Sequence, residues 1–159
     1  MGTLFRPGSG EVTVGDPVDI YTGAYRMSGK LAAVPGRMPL TLTWHYRAQD
    51  ASTGPLGTGT SLSTDWFIAS TSGAYRLHAP GNRMFLLKSQ PDGTYQSTTD
   101  PEVLGVRFTA GAPGIDNRGT LSWKGGAKFL FDGTGWLYRI EDARGNYLSI
   151  SRNASGFAT

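Results

Sequence analysis

The sequence predicts an all-β fold of antiparallel hairpins laid out as a meander, with little or no helix. Three observations predict it. Apolar and polar residues alternate over short stretches; in "PLTLTWHYR", Leu40, Leu42, Trp44 and Tyr46 face one way and Thr41, Thr43, His45 and Arg47 the other, the pattern of a half-buried strand. The 23 glycines and 9 prolines, about one residue in five, cluster between those stretches, where tight corners need them. No stretch sustains an amphipathic helical period over the ~10 residues of an ordinary helix. A chain of 159 residues is long enough to bury a core, and its 11% of aromatic residues are spread along it, unlike a disordered segment.

Residues 1–16 are rich in Gly and Pro and read as an arm. "PVDIYTGAYRMSG" follows as strand, corner and strand, and then comes the alternating strand around Trp44. "AQDASTGPLGTGTSL" reads as a loop. "TDWFIAST", "AYRLHA", "RMFLLKS" and "GTYQST" are short strands separated by "PGN" and "PDG" turns. A second loop, "TTDPEVLG", leads to "GVRFTA", and the Gly-rich "GAPGIDNRG" leads to "TLSW", "AKFLFD", "GWLYRIED" and "NYLSISR" at hairpin spacing. About ten strands result. Alternation puts Phe129 with Phe131 on one face, and Trp136 with Tyr138 and Ile140. The expected core is Leu40, Leu42, Trp44, Trp66, Phe108, Trp123, Phe129, Phe131, Trp136, Ile140, Leu148 and Ile150. Positive φ is expected at the corner glycines Gly133, Gly135 and Gly145.

Composition narrows the function. The net charge is +3, but Lys and Arg are scattered rather than gathered into the basic stripe that nucleic acid requires. The chain has no cysteine, which excludes disulfides, thiolate catalysis and Cys-based zinc sites. No apolar run approaches the ~18 residues of a membrane span, and "MGTLFRPGSGEV" has no signal-peptide apolar region.

Candidate chemistry is thin. His45 and His78, the only two histidines, fall on polar strand faces near arginines, and no Gly-x-Ser-x-Gly elbow accompanies them. Asp16 and Asp19 could approach a cation, but their spacing fits no EF-hand, and Asp16 before Pro17 is a turn starter. "GPLGTGT", residues 54–60, lacks the Lys-Ser/Thr ending of a phosphate loop. Asn153-Ala154-Ser155 is a formal glycosylation sequon. Trp44, Trp66, Trp123 and Trp136 could stack on sugars or fill a core, since both use the same flat apolar face; only an exposed aromatic row would favour the sugar. These residues predict no enzyme, cofactor or metal.

One internal period is present. Gly135-Trp136-Leu137 opens a unit after "FDGTG", and Gly156-Phe157 opens another after "RNASG", 21 residues on (156 − 135 = 21). A period near 20 signals stacked units that cannot bury their apolar faces singly. The stretch "FDGTGWLYRIEDARGNYLSISRNASG" resembles the YD repeat of RHS proteins, on Gly135, Leu137, Ile140, Asp142, Gly145, Asn146 and Gly156. Ser151-Arg152 stands where the repeat carries Tyr-Asp. Upstream, "GDPVDIYTGAY", "PLTLTWHYRAQDASTGPLGTGTSLSTDW" and "APGNRMFLL" resemble the domain that precedes those repeats. The resemblance spans residues 15–156.

It implies a division into an arm (1–16), an N-terminal β domain (17–125) and a first repeat (126–159) cut at the start of the next. It also implies the start of a β-shell that encloses a C-terminal toxin for bacterial competition, often through type VI secretion. Such a segment is a scaffold rather than an enzyme. It is secreted or delivered to the cell envelope and is cytoplasmic before export. Its partners are the remainder of the shell or another strand-pairing chain, and the enclosed toxin domain; neither nucleic acid nor a membrane span is implied. The alternative is a cell-surface carbohydrate-binding or adhesion module.

Overall fold

The structure is a computed structural model, which describes residues 17–18, 23–112 and 117–158. The expected arm at 1–16, Asp16, Asp19 and the middle of the Gly-rich loop at 113–116 lie outside them. The described residues form an all-β, antiparallel architecture whose only helical element is a single 3-10 turn, Pro101–Val103.

The first two strands, β1 (Arg26–Val34) and β2 (Leu40–Arg47), form a long hairpin. The segment read as a loop at 48–62 carries three short strands. β3 (Thr53–Gly54) and β4 (Gly57–Thr58) pair with each other, and β5 (Thr60–Leu62) pairs with β2. Side-chain alternation is invisible in strands of two or three residues, so the sequence offered no sign of them.

The remaining strands are β6 (Phe67–Thr71), β7 (Ala74–Ala79), β8 (Arg83–Ser89), β9 (Tyr95–Gln96), β10 (Arg107–Ala110), β11 (Asn117–Ser122), β12 (Lys128–Asp132), β13 (Leu137–Glu141) and β14 (Tyr147–Ser149). They form one nine-stranded sheet in plain sequence order, the predicted meander. The sheet runs through position 125 without a break, because β11 pairs with β12 around the 123–127 turn.

The nine-stranded sheet curls until its first strand, β6, meets the corner before β13. The Ile68 N–H donates to the Gly135 carbonyl at 2.8 Å, the Leu137 N–H donates to the Trp66 carbonyl at 3.0 Å, and Phe67 bridges Trp136 between them. Within the curl lies one apolar cluster that includes Ile68, Leu77, Leu87, Phe108, Leu121, Phe131 and Leu137, all fully buried. Alternation builds it: on β8, Phe85 and Leu87 point in, while Met84 and Leu86 are exposed. Val103 on the 3-10 turn and Val106 beyond it join the same cluster. Gly119 makes room for the Phe108 ring, since a Cβ there would strike that ring and the Thr109 carbonyl.

Phe108 and Phe131 are core as expected, and Trp66, Trp123, Phe129, Ile140 and Ile150 pack around its margin. Two expectations are corrected. Leu40, Leu42 and Trp44, in the separate β1–β2–β5 sheet, and Leu148, on β14, are half-buried outside the main cluster. Trp136 is half-buried on the outer face, and Leu137 takes the core position. A β-bulge causes this second difference. Phe131 faces Leu137 while Leu130 faces Arg139, so Tyr138 is an extra residue. Strict alternation cannot put Leu137 and Ile140 on one side; one inserted residue does.

The buried and exposed large residues should separate in stability. Phe131→Ala removes a fully buried ring and should cost about 3–5 kcal/mol, whereas Met84→Ala on the outer face should cost less than about 0.5 kcal/mol. Urea denaturation of both variants checks this; similar costs would show that the core is misplaced.

Candidate functional site

The repeat residues resolve into a turn. The same five-residue corner recurs at 90–94, 123–127, 132–136, 142–146 and 153–157. In each, the first N–H donates to the fifth carbonyl and the fourth N–H donates to the first carbonyl. The fourth residue is always glycine, with φ between +80° and +103°. This is the three-residue hairpin connection whose last loop residue must be left-handed. Gly135, Gly145 and Gly156 occupy that position. Gly133, one of the glycines expected at positive φ, stands two places earlier in its turn and does not adopt it, since only the fourth position reverses the chain.

The last three corners add a side-chain clamp. Asp132 Oδ1 accepts from the N–H groups of Thr134, Gly135 and Trp136. Asp142 Oδ1 accepts from Arg144 and Asn146. Asn153 Oδ1 accepts from Ser155 and Phe157, so the amide of the sequon holds its own turn together. The Asn146 side-chain amide also donates to Asp142 Oδ2 at 2.7 Å. That bond, with the backbone N–H groups of Arg144 and Asn146, holds the Asp142 carboxyl below its ordinary pKa. The motif residues therefore have distinct jobs. Asp142 and Asn146 set a corner, the glycines reverse the chain, and Leu137 and Ile140 fill the core. The clamps are 10 and 11 residues apart (142 − 132 and 153 − 142), so the 21-residue sequence period contains two structural steps.

Arg152, where the repeat has its aspartate, carries the main contact that the sequence reading missed. Its guanidinium donates to Asp65 Oδ1 at 3.1 Å, to the Thr64 carbonyl at 2.8 Å and to the Gly156 carbonyl at 3.0 Å. It also lies over the Trp136 ring, 4.5 Å from the centroid. Its side chain is 11% exposed and that of Asp65 15%. Asp65 Oδ2 accepts from the Leu62 N–H at 2.7 Å, so one carboxylate joins the terminal turn to the β5–β6 corner. The only sequence signal was the departure from Tyr-Asp, which did not say where Arg152 reaches.

Outside the seam lies a cleft of about 360 Å³. The 50–61 segment walls one side and the 155–157 turn another; Phe67, His78 and Trp136 form its floor. Burial first, then Arg76, lowers the His78 pKa below the ordinary histidine value. Burial and Arg83 do the same for His45, which lies on β2. Among the described residues neither histidine is hydrogen-bonded to a carboxylate, and no group of three or more metal-ligating side chains occurs. Residues 53–58 make a small hairpin and Thr60 opens β5 against β2, so 54–60 is no phosphate loop. Trp66 packs edge to face with Trp123 and Phe129 at 6.0 and 5.4 Å, Trp123 and Phe129 pack tilted at 5.5 Å, and Trp44 lies against Gly29.

The fold and its corners define an antiparallel β meander built on a recurring Asx-glycine turn. Residues 15–86 match a family model described as "Domain of unknown function (DUF6531)"; the match takes in β1 to most of β8. No curated protein matches the chain. Among the described residues no helix is long and apolar enough to cross a membrane.

The two types of glycine constraint should separate on substitution. A Cβ at Gly145 meets nothing within 4 Å, so Gly145→Val carries only the backbone strain of about 1–3 kcal/mol. Gly135→Ala should cost more, since its Cβ would also strike the Ile68 carbonyl across the seam. Chemical denaturation of both decides; an unchanged midpoint for Gly145→Val would refute the turn assignment. For the clamp, Arg152→Met should cost about 3 kcal/mol, because it leaves Asp65 largely buried without its counter-ion. Hydrogen exchange at 153–158 should accelerate in that variant, and a double-mutant cycle with Asp65→Asn should show strong coupling.

Proposed function

We propose that the chain is a non-enzymatic structural segment of an RHS-type shell, one that encloses a C-terminal toxin and is exported from a bacterium in competition with its neighbours. The observation that carries this reading is the clamped corner recurring every 10 or 11 residues along a sheet that grows strand by strand. Such a sheet is extended by adding copies, which is what a wall requires. The DUF6531 match supports it, because that domain occurs in RHS- and YD-repeat-type proteins, and it falls where the sequence resembles the segment preceding the repeats. In this reading the partners are the further strands of the shell and the enclosed domain.

The growing edge is β14. The Ile150 N–H donates inward to the Tyr138 carbonyl, so by alternation the Ser149 N–H points away from β13. Exposed edges recruit other strands. The shell reading expects the purified chain to self-associate through this edge in light scattering, and Ser149→Pro, which removes one outward donor, to reduce that association. A strictly monomeric chain at high concentration, with slow hydrogen exchange at the outward N–H groups of 147–149, would overturn it.

A further inference from the structure

The outer face of the seam carries an aromatic row that a packed core does not need. Ile68, Leu77 and Leu137 point inward, so their neighbours Phe67, His78 and Trp136 point outward. Cross-strand pairing lines these up: Phe67 faces His78 and bridges Trp136. Ring centroids are 5.9 Å apart for Phe67–His78 and 5.0 Å for Phe67–Trp136. Arg152 stacks on Trp136 and holds its orientation. The row is not spread on an open surface but forms the floor of the 360 Å³ cleft, at the low end of the ~300–1,000 Å³ of small-molecule sites.

The walls show what the floor would bind. Asp50, Asn82, Ser155 and the hydroxyls of the 52–61 segment line them, and among the described residues neither Lys nor Arg does. Asp65 is neutralised by Arg152, while among the described residues Asp50 meets no cation within salt-bridge distance, and it uses Oδ1 to accept from the Ser52 N–H. Burial, then Arg76, lower the His78 pKa and so favour the neutral ring, which offers one donor and one acceptor. Asn82 is held at φ +55°, the one non-glycine among the described residues with positive φ, and its side chain makes no hydrogen bond to any of them. A phosphate or sulfate would find no cation among the described lining residues. A neutral polyhydroxyl ring would find the faces of Trp136 and Phe67, inclined at 58° to each other, for its C–H groups, and hydrogen-bonding groups around the rim.

We infer that this cleft is a binding site for an uncharged saccharide of about two rings, with Trp136 and Phe67 as its platform and Asp50 and Asn82 as its polar contacts. The inference does not depend on the shell reading, because the row faces away from the core, whatever strands β14 may meet.

The test is a titration of the purified, isotope-labelled chain with cellobiose, chitobiose and maltose, followed by amide and indole NMR shifts, with a heparin disaccharide as the charged probe. Saturable shifts are expected at the Trp136 indole and at the amides of Asn82 and Phe157 for at least one neutral sugar. Trp136→Ala should abolish them. That variant also weakens the seam, so Asn82→Gly, which preserves the backbone angle, and Asp50→Asn, which preserves the Ser52 bond, serve as folded alternatives. Each should weaken binding about fivefold. The inference fails if none of the neutral sugars binds saturably. It also fails if the shifts map outside the cleft, if both folded variants bind as the parent does, or if the heparin disaccharide binds as well as the neutral sugars.

Discussion

The structure depends on the few backbone hydrogen bonds that tie β6 to the corner before β13. A nine-stranded sheet with both ends free would present its apolar face to water, and its first strand would be an unprotected edge. Bonding Trp66 and Ile68 to Leu137 and Gly135 bends the sheet around its own core, so that residues from β6 through β13 share one cluster. The contacts are few because the two strands meet only at their ends; past Leu137, β14 occupies the edge of β13. The seam is consequently reinforced from outside. Arg152 lies across it, bonded to the Thr64 carbonyl and Asp65 on one side and stacked on Trp136 on the other.

Elsewhere much of the register is set locally. β9, β12, β13 and β14 each follow a five-residue corner with its two backbone bonds, and the corners before β13 and β14 add a carboxylate that accepts spare N–H groups. The outer cleft follows from the same closure, since it opens where the β3–β4 hairpin and the terminal turn come together beside the joined ends.

Much of the fold was legible in the sequence because two-residue alternation and turn glycines are local signals. The strands from β6 to β14 fall within the stretches that alternation picked out, except that β11 starts at Asn117, three residues inside the stretch read as a loop, and their meander order follows from hairpin spacing. What was missed depends on features that no local pattern encodes. The bulge at Tyr138 exchanged Trp136 for Leu137 in the core; β3, β4 and β5 are too short to alternate; and Leu40, Leu42 and Trp44 alternate well but belong to a different sheet. At the candidate site, the glycines and Asp142 and Asn146 were visible as a motif, though not as a single turn. The Arg152–Asp65 pair spans 87 residues, and the row of His78, Phe67 and Trp136 draws on three separate segments. Neither exists until the sheet closes.

The 10- and 11-residue steps between clamped corners bear on how such a chain can change its length. Inserting one strand with one corner reverses the direction of every strand that follows. Inserting two restores the direction. Duplication of coding sequence in this region therefore leaves the downstream path intact only in pairs, and the hairpin, not the strand, is the heritable unit.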